Sequence, residues 1–256
     1  MPFSYNHILK IPERSVLDKK LTKAFFLKNF VLSASEKKLL NNSIQNLDWL
    51  ASIKPANTNI PAIKNMEYIY EEIQVIVCKV EDNKFEEVAN KCIVLLQKYI
   101  PYQMLVIVED STNFVLNASK KRINLNDTAK RSIESYYTTT TLSKLYKSEM
   151  TASFFKALDF LALDKTNMET TYKSYIQAIV QFQMATVTGT YIKRNQRRTA
   201  EDMILLSNIE TLEKEIISLG NQIKNETRLN NRVYLNIEIQ QQRKKIENIK
   251  DKLCAI

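Results

Sequence analysis

Residue types able to do covalent or metal chemistry are scarce and scattered in this chain. His7 is the single histidine, so a polyhistidine zinc site has no ligands, and a Ser or Cys nucleophile would find its base only near the N-terminus. Cys78, Cys92 and Cys254 have no C-x-x-C spacing, which excludes a zinc finger or a thioredoxin-like dithiol. The two glycines, Gly189 and Gly220, stand 31 positions apart. Phosphate loops need close-set glycines, so a dinucleotide fingerprint, a Walker loop, a kinase glycine loop and a nucleophile elbow are all absent. Ser35-Glu36-Lys37-Lys38 matches a Ser-x-x-Lys pair; the same residues read more simply as the start of a helix. Glu71-Glu72, Glu86-Glu87 and Glu109-Asp110 are paired carboxylates. Glu109 or Asp110 with Lys120 comes nearest to a metal-dependent nuclease, yet no Asp/Glu-x-Lys follows on a strand, and solvated surface acids account for the pairs. Neither a metal nor a cofactor is expected.

Two basic groups are better candidates, for binding rather than catalysis. Lys193-Arg194-Asn195-Gln196-Arg197-Arg198 places four cations in six residues, and Arg243-Lys244-Lys245 follows the amides Gln240, Gln241 and Gln242. Arginine's planar fork suits phosphate, and amides commonly accompany it at nucleic-acid contacts. The competing reading is a junction and a solvated helix face, with cations paired to Glu201, Asp202 and Glu247. No helix-turn-helix, RNP or zinc-finger pattern points to sequence-specific readout.

These groups must be positioned by recognisable elements. Apolar residues at Val16, Leu17, Leu21, Ala24, Phe25 and Leu27 follow helical spacing. Ser33, Ser35 and Glu36 mark a further helix start, so residues 13–51 read as helices. Lys54–Pro61 holds two prolines among asparagines, an extended connector and domain boundary. Tyr68–Val80 is β-branched and reads as a strand, Lys84–Tyr99 as an amphipathic helix, and Tyr102–Val108 as a strand covered on both faces. Phe114–Leu116 and Ile133–Thr140 read as strands, with Lys120-Lys121-Arg122 in the loop between them, and Thr151–Leu163 as helix. Half-buried strand positions account for Tyr68, Tyr70, Tyr99, Tyr102, Tyr136 and Tyr137 better than a base-stacking platform does. From Thr199 onward Ile209, Leu212, Ile216, Leu219 and Ile223 alternate steps of three and four, and Leu235, Ile239, Gln242, Ile246, Ile249 and Leu253 resume the pattern. Lys224–Arg232 interrupts it, as the tip of an antiparallel hairpin would; a single stuttering helix is the competing reading.

The expected fold is therefore α+β, a mixed α/β chain: an N-terminal helical region (1–61), a small αβ core with a four- to five-stranded sheet (62–165), and a C-terminal helical region with a coiled-coil-like hairpin (166–256). At 45% hydrophobic and 25% charged the chain is globular. Its odd cysteine count fits a reducing cytoplasm, and its first residues lack a signal-peptide pattern. Ser174–Ile192 is uncharged, but its glutamines and threonines argue for a buried helix, giving way to a β-branched segment near Thr186–Ile192, rather than a membrane span. The formal charge of +9 favours polyanions, although lysine on solvated faces explains it equally well. By region it is +5 over residues 1–60, 0 over 61–165 and +4 over 166–256.

An ordered set of segments carries a family resemblance: Ile11-Pro12, Leu47-Asp48-Trp49 with Pro55 and Asn59-Ile60, Glu72-Ile73-Gln74-Val75, Ile100-Pro101-Tyr102, Tyr136-Tyr137 with threonines, and Leu229-Asn230-Asn231-Arg232-Val233-Tyr234-Leu235-Asn236. In this the chain resembles the bacterial domain-of-unknown-function family DUF4391. The resemblance implies no catalytic residue. It implies a companion of restriction-type helicases or DNA methylases in antiphage loci. It departs from the family at Thr138–Thr141, where members often carry a tryptophan, and keeps the tail motif more closely, which singles out Asn231, Arg232 and Asn236. The expectation is a non-catalytic, cytoplasmic accessory subunit that docks a helicase/ATPase or methylase. Lys193, Arg194, Arg197, Arg198, Arg228, Asn231, Arg232, Asn236, Arg243, Lys244 and Lys245 would contact that partner or DNA. A metal-dependent nuclease with converging acids and a homo-oligomer joined through the C-terminal helices are the alternatives.

Overall fold

A computed structural model describes residues 3–254. Its first segment mixes helix with strand: α1 (Tyr5–Leu9), β1 (Val16–Lys20), α2 (Lys23–Asn29), α3 (Ala34–Asn42) and β2 (Ile44–Ile53). The two strands correct the all-helical expectation for residues 13–51. β2 has apolar residues that fit a helical period, but it pairs antiparallel with residues 73–80 along almost its whole length. A long-range ladder outweighs local spacing in a short apolar run. Asp18 takes φ 45° where β1 shifts register against β2, a bulge that no sequence signal announced. Helix α3 begins as expected. Ser33 caps it by accepting the Glu36 N–H, and the Glu36 carboxylate accepts the Ser33 N–H at 2.7 Å. Ser35 thus sits in a capped helix turn, its hydroxyl 3.1 Å from that of Ser33.

The proline connector folds more tightly than expected, into α4 (Pro55–Thr58), closed by Asn59 at φ 57°. A small hairpin, β3 (Ile63–Lys64) and β4 (Ile69–Tyr70), leads to β5 (Ile73–Val80), α5 (Phe85–Tyr99), β6 (Gln103–Glu109), β7 (Asn113–Ile123), β8 (Arg131–Thr138) and β9 (Leu142–Ser143). The main sheet has seven strands in the order β1-β2-β5-β6-β7-β8, with β9 also on β7. Only β5 and β6 run parallel, joined across α5; the other pairs are antiparallel. The sheet exceeds four to five strands because the N-terminal segment supplies β1 and β2. Cys78, Val80, Val106 and Val108 pack with Val88, Cys92 and Leu96 of α5 and with Phe26 and Leu40 of α2 and α3. Their odd-numbered neighbours Val75, Val77, Leu105 and Ile107 are buried as well. The period-two alternation of a strand places them on the opposite face.

Lys120-Lys121-Arg122 lies inside β7, not in a loop. Lys121 is fully buried, and its amine donates to the carbonyls of Ile100 at 2.7 Å and Tyr102 at 2.9 Å. Burial, with Arg131 as a lesser contributor, pushes its pKa well below the usual lysine value. A run of two lysines and an arginine looks like loop because the alternation that buries its middle member is invisible without the paired strand.

Helices α6 (Glu149–Leu158), α7 (Met168–Thr188), α8 (Gln196–Asn225) and α9 (Leu229–Cys254) complete the chain, which divides into two compact units between Gln183 and Met184. In the first unit the Tyr172 phenol of α7 accepts the Ser119 N–H at 2.9 Å and faces the Ser119 and Met104 carbonyls. Phe182 stacks on Phe154 of α6 at 4.5 Å. The uncharged segment is helix through Thr188, so the β-branched continuation is corrected. Gly189 at φ 80° ends the helix, donating to the Ala185 carbonyl. Among the described residues no helix is long and apolar enough to cross a membrane.

In the second unit α8 and α9 pack together as an antiparallel hairpin. Ile209, Ile246 and Leu253 form its seam with Leu205, Leu212, Ile216 and Ile249 at the margin. The turn at residues 226–228 falls inside the polar interruption. Gly220 lies within α8, and a Cβ added there meets nothing within 4 Å.

Two outcomes test this reading. Gly220→Ala should stabilise the protein by about 1 kcal/mol, because helix propensity is gained without a clash. Gly189→Ala should destabilise it by about 1 kcal/mol through its left-handed φ. Chemical denaturation monitored at 222 nm separates them, and equal shifts would refute the assignment of the two positions. The Glu36 carboxyl is opposed by partial burial, yet Lys98, Ser33 and Tyr99 hydrogen bonds hold its pKa down to about 2 from an ordinary 4.5. A depressed folded-state pKa contributes stability that is present above pH 4.5 and lost as pH falls toward 2. Glu36→Gln should flatten the stability–pH curve in that window, read from unfolding midpoints at each pH.

Candidate nucleic-acid interface

The basic hairpin residues separate into two groups when placed on α8, α9 and the segment before them. Arg194 is buried: its guanidinium donates to the Leu253 carbonyl at 2.6 Å and lies 3.4 Å from the Asp202 carboxylate. Arg198 donates to the Lys252 carbonyl at 2.7 Å and lies 3.3 Å from both Asp202 and Glu201. Asp202 is wholly buried, and its pKa is raised by desolvation that the two guanidiniums only partly offset. These contacts tie the start of α8 to the last carbonyls of α9. Cations suit a helix C-terminus, where backbone carbonyls lack partners. Arg194 and Arg198 therefore close the hairpin, and their charge is spent inside it.

Lys193 and Arg197 point outward, with Arg197 91% exposed and only a loose pair to Glu201 at 3.6 Å. Arg228, Arg232, Arg243, Lys244 and Lys245 are exposed and form no ion pair among the described residues. They do not make one row. At 3.6 residues per turn Arg232, Asn236 and Arg243 share one flank of α9 within about 40°. Lys244 falls on the back with Val233 and Ile237, and Lys245 on the other flank with Tyr234.

The asparagines brace backbone. Asn231 donates to Glu226, which also accepts the Arg228 N–H at 2.8 Å, and Asn236 donates to the Arg232 carbonyl. The Arg228 backbone bond, then Asn231, lowers the Glu226 pKa. The tail motif resembling the family thus holds the hairpin turn together, while its Arg232 side chain stays outside.

The sequence missed the apolar content of this surface. Val233 and Ile237 are each 51% exposed and Tyr234 is 65% exposed. Val233, Ile237, Asn236, Gln240, Gln241 and Lys244 border a shallow groove of about 440 Å³ along α9. Val233 and Ile237 stand at i, i+4 in the sequence, but outside the seam positions that mark the hairpin.

The carboxylates of the nuclease alternative are held in other roles. Glu109 accepts from the Tyr5 phenol and the Lys144 amine, each at 2.6 Å. Partial burial opposes Asp110 ionisation, but its hydrogen bonds from Asn113 and Thr112 prevail and lower its pKa at the β6–β7 turn. Among the described residues no three His, Cys, Asp or Glu side chains converge where a metal ion could be held.

Comparison with known proteins decides the kinship. The family model described as Domain of unknown function (DUF4391) matches residues 9–246. The chain belongs to the DUF4391 family. No curated protein and no solved structure matches it. In this DUF4391 member the segments that carry the resemblance lie mainly in elements that build the sheet and the hairpin turn, namely β2, β5, the entry to β6, β8 and the start of α9.

Arg194→Met should destabilise the hairpin by about 3 kcal/mol, since a buried carboxylate would lose one of its two counter-charges and a helix-end carbonyl its donor. Urea unfolding checks this; an unchanged midpoint would remove the clamp from the account. Arg197→Met, at an exposed position, should change stability by less than about 0.5 kcal/mol.

Proposed function

We propose that this DUF4391 protein is a non-catalytic accessory subunit of a bacterial antiphage, restriction-like complex. In this reading it works in the cytoplasm, docks a helicase/ATPase or DNA methylase, and contacts DNA backbone through its C-terminal hairpin. The observation that supports it is the outer surface of α9, where unpaired Lys244 lies beside exposed Val233 and Ile237 and unpaired Arg232 and Arg243 line the adjoining flank. An isolated domain gains nothing from exposing apolar side chains in a row, while a protein partner would bury them and cations beside them would reach phosphate. Contacts to backbone phosphates position a complex without reading its sequence, which suits a protein with no base-reading motif. Catalysis would belong to the partner.

Affinity for duplex DNA should fall steeply between 50 and 200 mM salt, because each neutralised phosphate releases a counterion. Arg232→Glu with Arg243→Glu should weaken retention by about ten-fold or more without shifting the unfolding midpoint. Fluorescence anisotropy with a labelled duplex reads both. Salt-independent binding, or full affinity in the double variant, would overturn the DNA part of the proposal. The docking part is tested by replacing Val233 and Ile237 with Ser and repeating a pull-down from the native cell. Retained partners would refute it. A mass that halves in light scattering would assign the face to a second copy of the chain.

A further inference from the structure

His7, an isolated residue in the sequence, lines a cation-rich hollow of the first unit. Helix α1 packs against α6, and between them opens a cavity of about 410 Å³ whose wall includes His7, Lys10, Lys144, Lys147 and Lys156. That volume lies within the range of small-molecule sites. Asp159 is the one carboxylate on its wall. Lys10 pairs with Asp159 at 2.6 Å, and Lys144 with Glu109 at 2.6 Å from behind the wall. Lys147 and Lys156 are exposed and have no ion pair among the described residues. Two positive charges therefore face the cavity uncompensated, with His7 beside them.

The cavity is not merely basic. Phe3 and Phe155 also line it, and Phe114 backs both, 5.2 Å from Phe3 and stacked 6.3 Å from Phe155. The Tyr5 phenol, packed edge-on to Phe3 and Phe114, anchors α1 to Glu109 and so holds this wall to the sheet. An aromatic wall facing two free ammonium groups fits a molecule with a flat ring at one end and a dianion at the other.

We propose that the α1–α6 cleft is a binding site for a nucleoside monophosphate. A phosphomonoester carries between 1.5 and 2 negative charges at neutral pH, about the charge left open by Lys147 and Lys156. Lysine binds phosphate as a point charge and needs no glycine loop, so the scarcity of glycine does not oppose this site. The base packs on Phe155 and Phe3. The site lies in the first unit and stands apart from the hairpin reading.

Isothermal titration of the full-length protein with adenosine 5′-monophosphate tests it. Saturable binding at one site per chain is expected, weaker with inorganic phosphate alone and weaker with adenosine alone. Lys147→Ala with Lys156→Ala should reduce affinity about ten-fold or more, since two charge-assisted contacts are lost. Both side chains are exposed, so the unfolding midpoint should stay unchanged, and Arg232→Glu with Arg243→Glu should leave nucleotide affinity intact. No saturable binding at several millimolar nucleotide, or unchanged affinity in the lysine variant, would overturn the site. Inorganic phosphate binding as tightly as the nucleotide would overturn its aromatic half. A single-stranded oligonucleotide that displaces the nucleotide and binds more tightly through the same lysines would assign the cleft to nucleic acid instead.

Discussion

Two adjacent strands buried on both faces govern the first unit. β5 and β6 carry almost nothing but apolar side chains, and a parallel pair of that kind is stable only when both faces are covered. Each fully buried Val, Ile or Leu contributes about 1.5–3 kcal/mol. One face recruits α5 with α2 and α3; Tyr172 brings α7 against the Met104 and Ser119 backbone. The N-terminal segment is drawn in by the same constraint. An uncovered β5 edge would leave a row of backbone groups unpaired, and β2 satisfies them along nearly the whole strand.

The second unit has a thinner core and solves its stability differently. Its seam contains few fully buried side chains, so the buried Arg194–Asp202–Arg198 cluster matters more there. A buried ion pair contributes little net stability against an apolar replacement, because desolvation consumes most of the attraction. What it does supply is geometry. Two guanidiniums that must meet both Asp202 and the carbonyls of Lys252 and Leu253 permit one register between α8 and α9. Registry fixed in this way leaves the outer face of α9 free for other contacts.

Charge alone was a poor guide to which cations face outward. Six residues in a row at 193–198 contain exposed, half-buried and buried members: Arg194 turns inward from the segment before α8, while on the helix itself rotation carries Arg198 toward Asp202 and Arg197 out. Likewise, Lys121 is buried between exposed or half-exposed neighbours in β7 because strand side chains alternate. The cleft beside α1 gathers lysines from positions 10 to 156, and no local pattern connects them.

The amino-acid sequence by itself determined what depends on near neighbours. It specified α5 and its amphipathic face, the capping box at Ser33 and Glu36, the apolar strand at 103–109, the hairpin turn near 226–228 and the absence of glycine phosphate loops. Each of these rests on propensity, capping or periodicity within a few residues. Tertiary structure decided the rest. Whether residues 44–53 form helix or strand depends on β5, some 25 residues away. The inward turn of Arg194 depends on a carbonyl at residue 253. Only the three-dimensional fold could bring His7 to Lys156, because the free energy that joins them comes from burying the sheet between them in sequence, not from anything those residues hold in common.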